Sequence, residues 1–325
     1  MNKRWRAVIH LAGRCRELSV VRATALAATI AATPVVTLAV LILVLAIAPM
    51  AQATGRADCL SLTSKILRHS VGYCILLPPS YDVDAARRYP ILYFLHGLGE
   101  NEQFLVRGGG LNLVEDLWEQ HEIADYLIVT PAADSSFYIN SHDGQARYED
   151  FVIQEFLPFI ERRYRTRHGR AARGIGGISM GGYGALHLAF RHPELFGSVS
   201  AHSAALIERL PEAAGSNRPP TPGLRMLGNV FGAPVDRVFW GRNDPLALGR
   251  TANLAALKIY FDCGSEDDYG FEAGAAVLDK ELTARRIAHE FHIYPGRHDW
   301  PYFAEHLHAS LEFESQAFGP GNEKN

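Results

Sequence analysis

One junction constrains this chain more than any other stretch. Ala171 to Ile178 reads as an apolar strand and runs directly into Met180 to Arg191, which has helical periodicity, with Gly177-Ile178-Ser179-Met180-Gly181 at the joint. A strand that enters a helix without a connecting loop needs a sharp turn, and glycine two residues to either side keeps the turning residue clear of neighbouring backbone. Such a turn holds Ser179 exposed and fixed, the position a serine needs if a nearby base is to make it a nucleophile. The pattern alone is weak, since a glycine-rich chain of this size would contain it by chance about 10% of the time. Its setting between strand and helix strengthens it against the alternative of a glycine-rich turn without chemistry.

The same alternation runs through most of the chain. Leu60 to Leu67 and Val71 to Leu77 read as a hairpin closed by Pro78-Pro79. Tyr89 to Leu95 is a near-continuous apolar run, as in a strand buried on both faces. Then come helix Leu113 to His121, strand Tyr126 to Thr130 and a long helix, Tyr148 to Tyr164, carrying Pro158. After the Ser179 junction, strands Phe196 to Ala201, Leu257 to Asp262 and His289 to Tyr294 alternate with helices Phe271 to Arg286 and Tyr302 to Phe313. This order predicts an α/β fold: a mostly parallel central sheet with helices on both faces and the opening hairpin as an antiparallel N-terminal edge. Ser203 to Arg250 breaks the rhythm, being rich in Pro, Gly and Asn with no clear strand. A segment that long predicts a lid or pocket wall at about 203–250.

The first fifty residues have a different character. Lys3, Arg4, Arg6, Arg14, Arg16 and Arg22 precede an uncharged stretch from Ala23 to Ala48, followed by Pro49-Met50-Ala51-Gln52-Ala53. Basic residues, an apolar segment and small residues at a cleavage site are the order of a secretory signal. The uncharged stretch is also long enough to span a bilayer, so an uncleaved anchor is the alternative. Residues 1–53 are therefore expected to be a signal peptide or N-terminal membrane anchor, and 54–325 an exported catalytic domain, periplasmic or extracellular. A formal net charge of −3 with dispersed Lys and Arg gives no tract for nucleic acid. If cleavage follows Ala53, three cysteines remain, and an odd number leaves at least one thiol free. Cys263, in an apolar strand, reads as a buried small hydrophobe. Cys59 and Cys74 could pair, but a hairpin turning near His69 would set Cys74 opposite about Ser64, not Cys59.

Two further elements follow Ser179 in the order Ser…Asp…His. Asp267 lies just beyond the Leu257 strand, with Glu266 and Asp268 as rivals and Asp262 still inside the strand. An acid there would hold a histidine in the correct tautomer and stabilise its imidazolium. His298 lies in the loop after the last strand, between Gly296 and Trp300, whereas His289, His292, His306 and His308 read as structural. A developing oxyanion needs backbone donors. Met180, the residue after the serine, supplies one N–H, and Leu98 in His96-Gly97-Leu98-Gly99 supplies the other, where the bland reading is a simple strand-end turn. His289-Glu290-Phe291-His292 has the wrong spacing for a zincin helix, and no Gly-rich phosphate loop appears, so no metal or cofactor is expected.

With these residues in hand, the chain resembles the putative-esterase family of α/β-hydrolases, which includes tributyrin and feruloyl esterases, S-formylglutathione hydrolases and the antigen 85 mycolyltransferases. The likeness runs from about Leu62 to Phe313. It rests on Leu77-Pro78-Pro79-Ser80-Tyr81, Phe94-Leu95-His96-Gly97-Leu98-Gly99, Gly177-Ile178-Ser179-Met180-Gly181-Gly182, Asp262-Cys263-Gly264-Ser265-Glu266-Asp267 and Gly296-Arg297-His298-Asp299-Trp300. The resemblance selects Asp267 over Asp268, because the family's acid follows its glycine by three positions, and it supports Leu98 as oxyanion donor. Glu100 departs from the second glycine that many members carry.

The resemblance implies a serine carboxylic ester hydrolase acting through an acyl-enzyme on short-acyl, aryl or carbohydrate esters. The alternatives are acyl transfer of the mycolyltransferase type and a thioesterase like S-formylglutathione hydrolase, the latter ill matched to export. A non-catalytic binding protein would generally have lost a member of the triad, and all three positions are occupied.

Overall fold

The computed structural model describes residues 54–210 and 222–319. The expected signal or anchor at 1–53 lies outside these residues, as does the 211–221 portion of the expected lid. Among the described residues, no helix is long and apolar enough to cross a membrane.

Eight strands form one sheet: β1 (Arg56–Thr63), β2 (Ser70–Leu77), β3 (Ile91–Leu95), β4 (Leu127–Pro131), β5 (Arg173–Ile178), β6 (Ser198–His202), β7 (Lys258–Gly264) and β8 (Glu290–Tyr294). Their spatial order is β1-β2-β4-β3-β5-β6-β7-β8. β1 runs antiparallel to β2, and β2 to β4, while every other neighbouring pair is parallel. The expected mostly parallel sheet with an antiparallel N-terminal edge is the one observed.

The apolar runs form strands because both faces of the sheet are covered. Ile91, Tyr93 and Leu95 of β3 enter one core and Leu92 and Phe94 the other. The longer helices are α1 (Gly110–Glu119), α2 (Leu157–Arg163), α3 (Met180–Arg191), α4 (Pro222–Phe231), α5 (Arg237–Asn243), α6 (Pro245–Thr251), α7 (Phe271–Ala284) and α8 (Trp300–Phe318). α1 and α8 cover one face through Val114, Leu117, Leu307 and Leu311. The first core collects Leu157 of α2, Leu186 of α3, Leu246 of α6 and Leu278 of α7. Each such side chain contributes about 1.5–3 kcal/mol on burial, so the two-sided sheet is the main source of stability.

Three features differ from the sequence reading. The long helix expected from Tyr148 to Tyr164 divides into a turn, Tyr148–Asp150, a π-helical segment, Phe151–Phe156, and α2. Pro158 in the first turn of α2 has no N–H for the carbonyl four residues back, and the wider π turn ahead of it absorbs the misfit. α8 begins before Tyr302 because Asp299 caps it, accepting from the Tyr302 N–H at 3.1 Å, with Pro301 in the first turn.

The third difference corrects the cysteine argument. β1 and β2 pair with Cys59 opposite Cys74, and a disulfide joins them. The hairpin turns across 64–69, earlier than expected, because Glu155 accepts from Ser64 Oγ (2.6 Å) and from the Lys65 and Ile66 N–H groups (2.8 and 3.3 Å). That carboxylate gathers the loop around Ile66 and shifts the register by five residues from the one centred on His69. Cys263 is free and buried, as its strand pattern implied.

Candidate active site

The loops following the carboxyl ends of β3, β5, β7 and β8 meet at one end of the sheet, where ligands bind in open α/β folds. Ser179 sits between β5 and α3 with φ 53° and ψ −116°, a backbone conformation that L-residues seldom adopt. The surroundings over-determine it: its N–H donates to the His202 carbonyl at 2.9 Å, and its carbonyl accepts from the Tyr183 and Ala205 N–H groups, each at 3.0 Å. The flanking glycines are sterically required. A Cβ on Gly181 would lie 2.0 Å from the Leu95 carbonyl oxygen, and one on Gly177 would lie 2.6 Å from that of Gly181.

Ser179 Oγ lies 2.8 Å from His298 Nε2, and His298 Nδ1 lies 2.7 Å from Asp267 Oδ2. The structure thus brings Ser179, His298 and Asp267 into one hydrogen-bonded line. Of the rival acids, Asp268 turns outward to pair with Arg297, and Glu266 is exposed. Burial raises the Asp267 carboxyl, but the His298 hydrogen bond and the N–H groups of Tyr269 and Phe271 outweigh it, holding it below the usual carboxylate range. An anionic Asp267 accepting from Nδ1–H leaves Nε2 unprotonated and able to take the Ser179 proton. The imidazole plane stands nearly perpendicular to the rings of Tyr269 (4.8 Å), Phe303 (5.3 Å) and Phe271 (5.4 Å), so it is fixed by packing as well as by hydrogen bonds.

The His96–Gly99 turn passes over the serine, with Gly97 so placed that a Cβ there would lie 3.5 Å from Ser179 Cβ. His96 is fully buried and orders this loop. Its Nε2 accepts from the Ala133 N–H at 3.0 Å, so Nδ1 carries the proton and donates to the Gly97 carbonyl at 2.8 Å. Burial lowers the His96 pKa, which favours this neutral tautomer. In a trans peptide the carbonyl and the following N–H point in opposite directions. Pinning the Gly97 carbonyl therefore turns the Leu98 N–H the other way. The Met180 N–H belongs to the first turn of α3, where no intrahelical acceptor exists. Glu100, at the departure from the family pattern, is exposed and closes the turn by donating its N–H to Gly97 O at 3.3 Å.

Behind these groups lies a buried polar network that the sequence reading did not assign. Asp262 Oδ1 accepts from the Tyr302 hydroxyl at 2.7 Å and Oδ2 from the Tyr260 hydroxyl at 2.9 Å, while His202 Nδ1 lies 2.7 Å from Oδ2. His202 Nε2 in turn lies 2.7 Å from Ser310 Oγ. The signal was present: a carboxylate inside a strand buried on both faces has to find partners. The described part of the segment expected to be a lid or pocket wall includes α4, α5 and α6, and α5 is tied to α3 at its last residue. The Tyr183 hydroxyl and His187 Nδ1 both donate to the Asn243 carbonyl, at 2.9 and 2.8 Å.

The other histidines have partners elsewhere. His289 contacts Asp279, His292 stacks on Tyr294, His306 lies between Tyr294 and Tyr302, and His308 pairs with Glu122. Among the described residues, no group of three or more His, Cys, Asp or Glu side chains is placed to hold a metal ion.

The sequence profile of the family described as "Putative esterase" matches residues 64–313. The chain belongs to that family. An esterase of Mycobacterium tuberculosis H37Rv is 30% identical over 245 residues, covering 70% of this chain and 52% of the relative. The chain thus spans about half the length of that relative. An acetyl esterase of Caldicellulosiruptor saccharolyticus is 25% identical over 264 residues, 78% of this chain and 96% of the relative. Among solved structures, a ferulic acid esterase superposes with a TM-score of 0.71 at 27% identity, covering 82% of this chain and 99% of that one. An S-formylglutathione hydrolase from Agrobacterium tumefaciens superposes at 0.66 with 20% identity, covering 82% and 97%, and shares the α/β-hydrolase fold.

Proposed function

We propose that the chain is a serine carboxylic ester hydrolase, acting through an acyl-enzyme on short-acyl, aryl or carbohydrate esters outside the cytoplasm. The observation that carries this reading is the unbroken line from Asp267 through His298 to Ser179. Ser179 Oγ attacks the ester carbonyl carbon as its proton passes to His298 Nε2. The C–O bond to the alcohol then breaks, and the alkoxide leaves with that proton. Water repeats the sequence on the acyl-enzyme and releases the acid. Asp267 stabilises the imidazolium at both stages, and the Leu98 and Met180 N–H groups receive the oxyanion.

Export is supported by the signal-like order of residues 1–53 and by the Cys59–Cys74 bond, since disulfides persist in oxidising compartments. The relatives described as acetyl esterase and ferulic acid esterase support the substrate range.

The test is hydrolysis of p-nitrophenyl acetate together with labelling by a fluorophosphonate probe. The protein should release nitrophenol and take one phosphonyl group on Ser179, and Ser179→Ala should lose both. Equal hydrolysis by Ser179→Ala would refute the reading, and transfer to an added sugar in preference to water would replace hydrolase with acyltransferase.

A further inference from the structure

The loop after β4 holds Asp134, Phe137 and Tyr138 at φ 46°, 54° and 58°. An aspartate tolerates positive φ, but two consecutive aromatic residues there are unusual. Such backbone persists only where its surroundings over-determine it, and it clusters at active sites. Both aromatic side chains are buried. The Phe137 ring packs against Tyr183 of α3 (5.3 Å, 90°) and Phe231 of α4 (5.7 Å, 70°). The Tyr138 ring meets His96 (5.8 Å, 64°) and passes α3 at Gly184, where a Cβ would lie 2.6 Å from its Cδ2.

The Tyr138 hydroxyl ends on the main chain of His96, just past the last β3–β5 pair, Leu95 with Gly177. It accepts from the His96 N–H at 2.9 Å and donates to the His96 carbonyl at 3.4 Å. Burial pushes its pKa well above the ordinary phenol value, so the proton of the second bond stays in place. The first bond fixes the peptide before His96 and the second the peptide after it. His96 Nδ1 fixes the next one through the Gly97 carbonyl. Three consecutive rigid planes are therefore held, and the third contains the Leu98 N–H. We infer that Tyr138 is a positioning residue of the proposed reaction, whose hydroxyl fixes the direction in which the Leu98 N–H meets the oxyanion. The positive-φ backbone is what delivers that hydroxyl. The inference rests on the ester-hydrolase reading, with Leu98 as an oxyanion donor, and adds to it the loop that aims this donor.

The experiment compares p-nitrophenyl acetate with its thionoester, in which sulfur replaces the carbonyl oxygen and the leaving group is unchanged. Sulfur accepts hydrogen bonds weakly, so the thionoester draws little help from oxyanion donors. The measured quantity is the ratio of kcat/KM for the acetate to kcat/KM for the thionoester. Tyr138→Phe keeps the ring and removes only the hydroxyl. It should lower the ratio about tenfold, less than the cost of losing a donor outright, with the acetate's loss in kcat and its KM nearly constant. Ser136→Ala is the milder variant. It removes the oxygen that accepts from the Tyr138 N–H at 3.1 Å and should lower the ratio about threefold. An unchanged ratio in Tyr138→Phe, with both esters slowed equally or neither slowed, overturns the inference and reduces Tyr138 to packing. Where Tyr138→Phe does not fold, an unchanged ratio in Ser136→Ala overturns it instead. Absence of nitrophenol release by the unsubstituted protein, with no fluorophosphonate adduct at Ser179, overturns the hydrolase reading and the inference with it.

Discussion

The Tyr302 hydroxyl donates to Asp262 Oδ1 at 2.7 Å, tying the helix that follows His298 to the strand that precedes Asp267. The same carboxylate lies 2.7 Å from His202, whose backbone carbonyl receives the Ser179 N–H. One buried carboxylate therefore touches the supports of all three members of the proposed triad. Tyr302→Phe removes a single hydroxyl and leaves Asp262 short of a donor, a loss of about 1–3 kcal/mol for a buried group. We expect the melting temperature to fall by about 5 °C. Activity measured well below that temperature should fall about tenfold in kcat with little change in KM. A variant that loses stability but keeps full kcat would restrict this network to a structural role.

Asp267 and Asp268 are neighbours with opposite orientations, which makes them a matched pair of substitutions. Asp267→Asn leaves the shape intact but favours the wrong imidazole tautomer, and kcat should drop by about 10⁴, the cost seen when a triad acid is amidated. Asp268→Asn weakens an exposed pair with Arg297 and keeps a side-chain oxygen for the His298 backbone N–H, which Asp268 Oδ2 accepts at 3.3 Å, so its kcat should stay within about threefold. Comparable losses in the two variants would contradict the geometry around His298.

His96 is expected to act through the peptide that it pins. In His96→Ala the Gly97 carbonyl is released and the Leu98 N–H loses its fixed direction. Losing an oxyanion donor outright costs about 10²–10³ in kcat, so partial disorder should cost about 10–100. Steady-state kinetics should place the loss in kcat, with KM nearly constant. A rise in KM at constant kcat would mean that the loop binds substrate without stabilising the transition state.

Glu314 makes stability depend on pH. It is fully buried, with Ser198 Oγ on its carboxylate, and burial pushes its pKa from 4.5 up to about 7. A carboxyl whose folded value is raised favours folding fully below its unfolded value, and that contribution is lost as pH rises through the folded one. The gap corresponds to about 3 kcal/mol lost between pH 4.5 and 7. Glu149 acts in the opposite sense. Burial raises it, but His187, His192 and Arg191 together hold it well below the usual range, so its contribution is lost only on the acid side of 4.5. Urea denaturation at pH 5 and pH 7.5 should show the loss in the unsubstituted protein and a nearly flat response in Glu314→Gln. An equal slope in both would assign the pH dependence to other groups.

The legible parts of this chain are those where the physics is local. The Ser179 turn announces itself because a Cβ at Gly181 would collide with the backbone of β3, so glycine there is a steric necessity. β3 and β4 announce themselves because strands covered on both faces have few polar residues. The cysteine pairing was illegible because the turn that sets it is centred by Glu155, about ninety residues further along the chain. The partners of Asp262 were illegible for a similar reason. An acid inside an apolar strand says that partners exist, but Tyr302 and His202 arrive from a helix and a strand that only the tertiary fold brings near.

The mooring of α5 at the Asn243 carbonyl sets how freely that helix can vary. Tyr183 and His187 grip a main-chain oxygen, which every amino acid supplies alike. The bond to α3 is thus made without the side chain at position 243, which is buried and donates to the Phe239 carbonyl at 2.9 Å, so substitutions on the exposed positions of α5 leave it fastened to the helix that begins after Ser179. Such a helix behaves like an interchangeable jaw on a fixed vice: its outer surface can drift while its grip stays where it is.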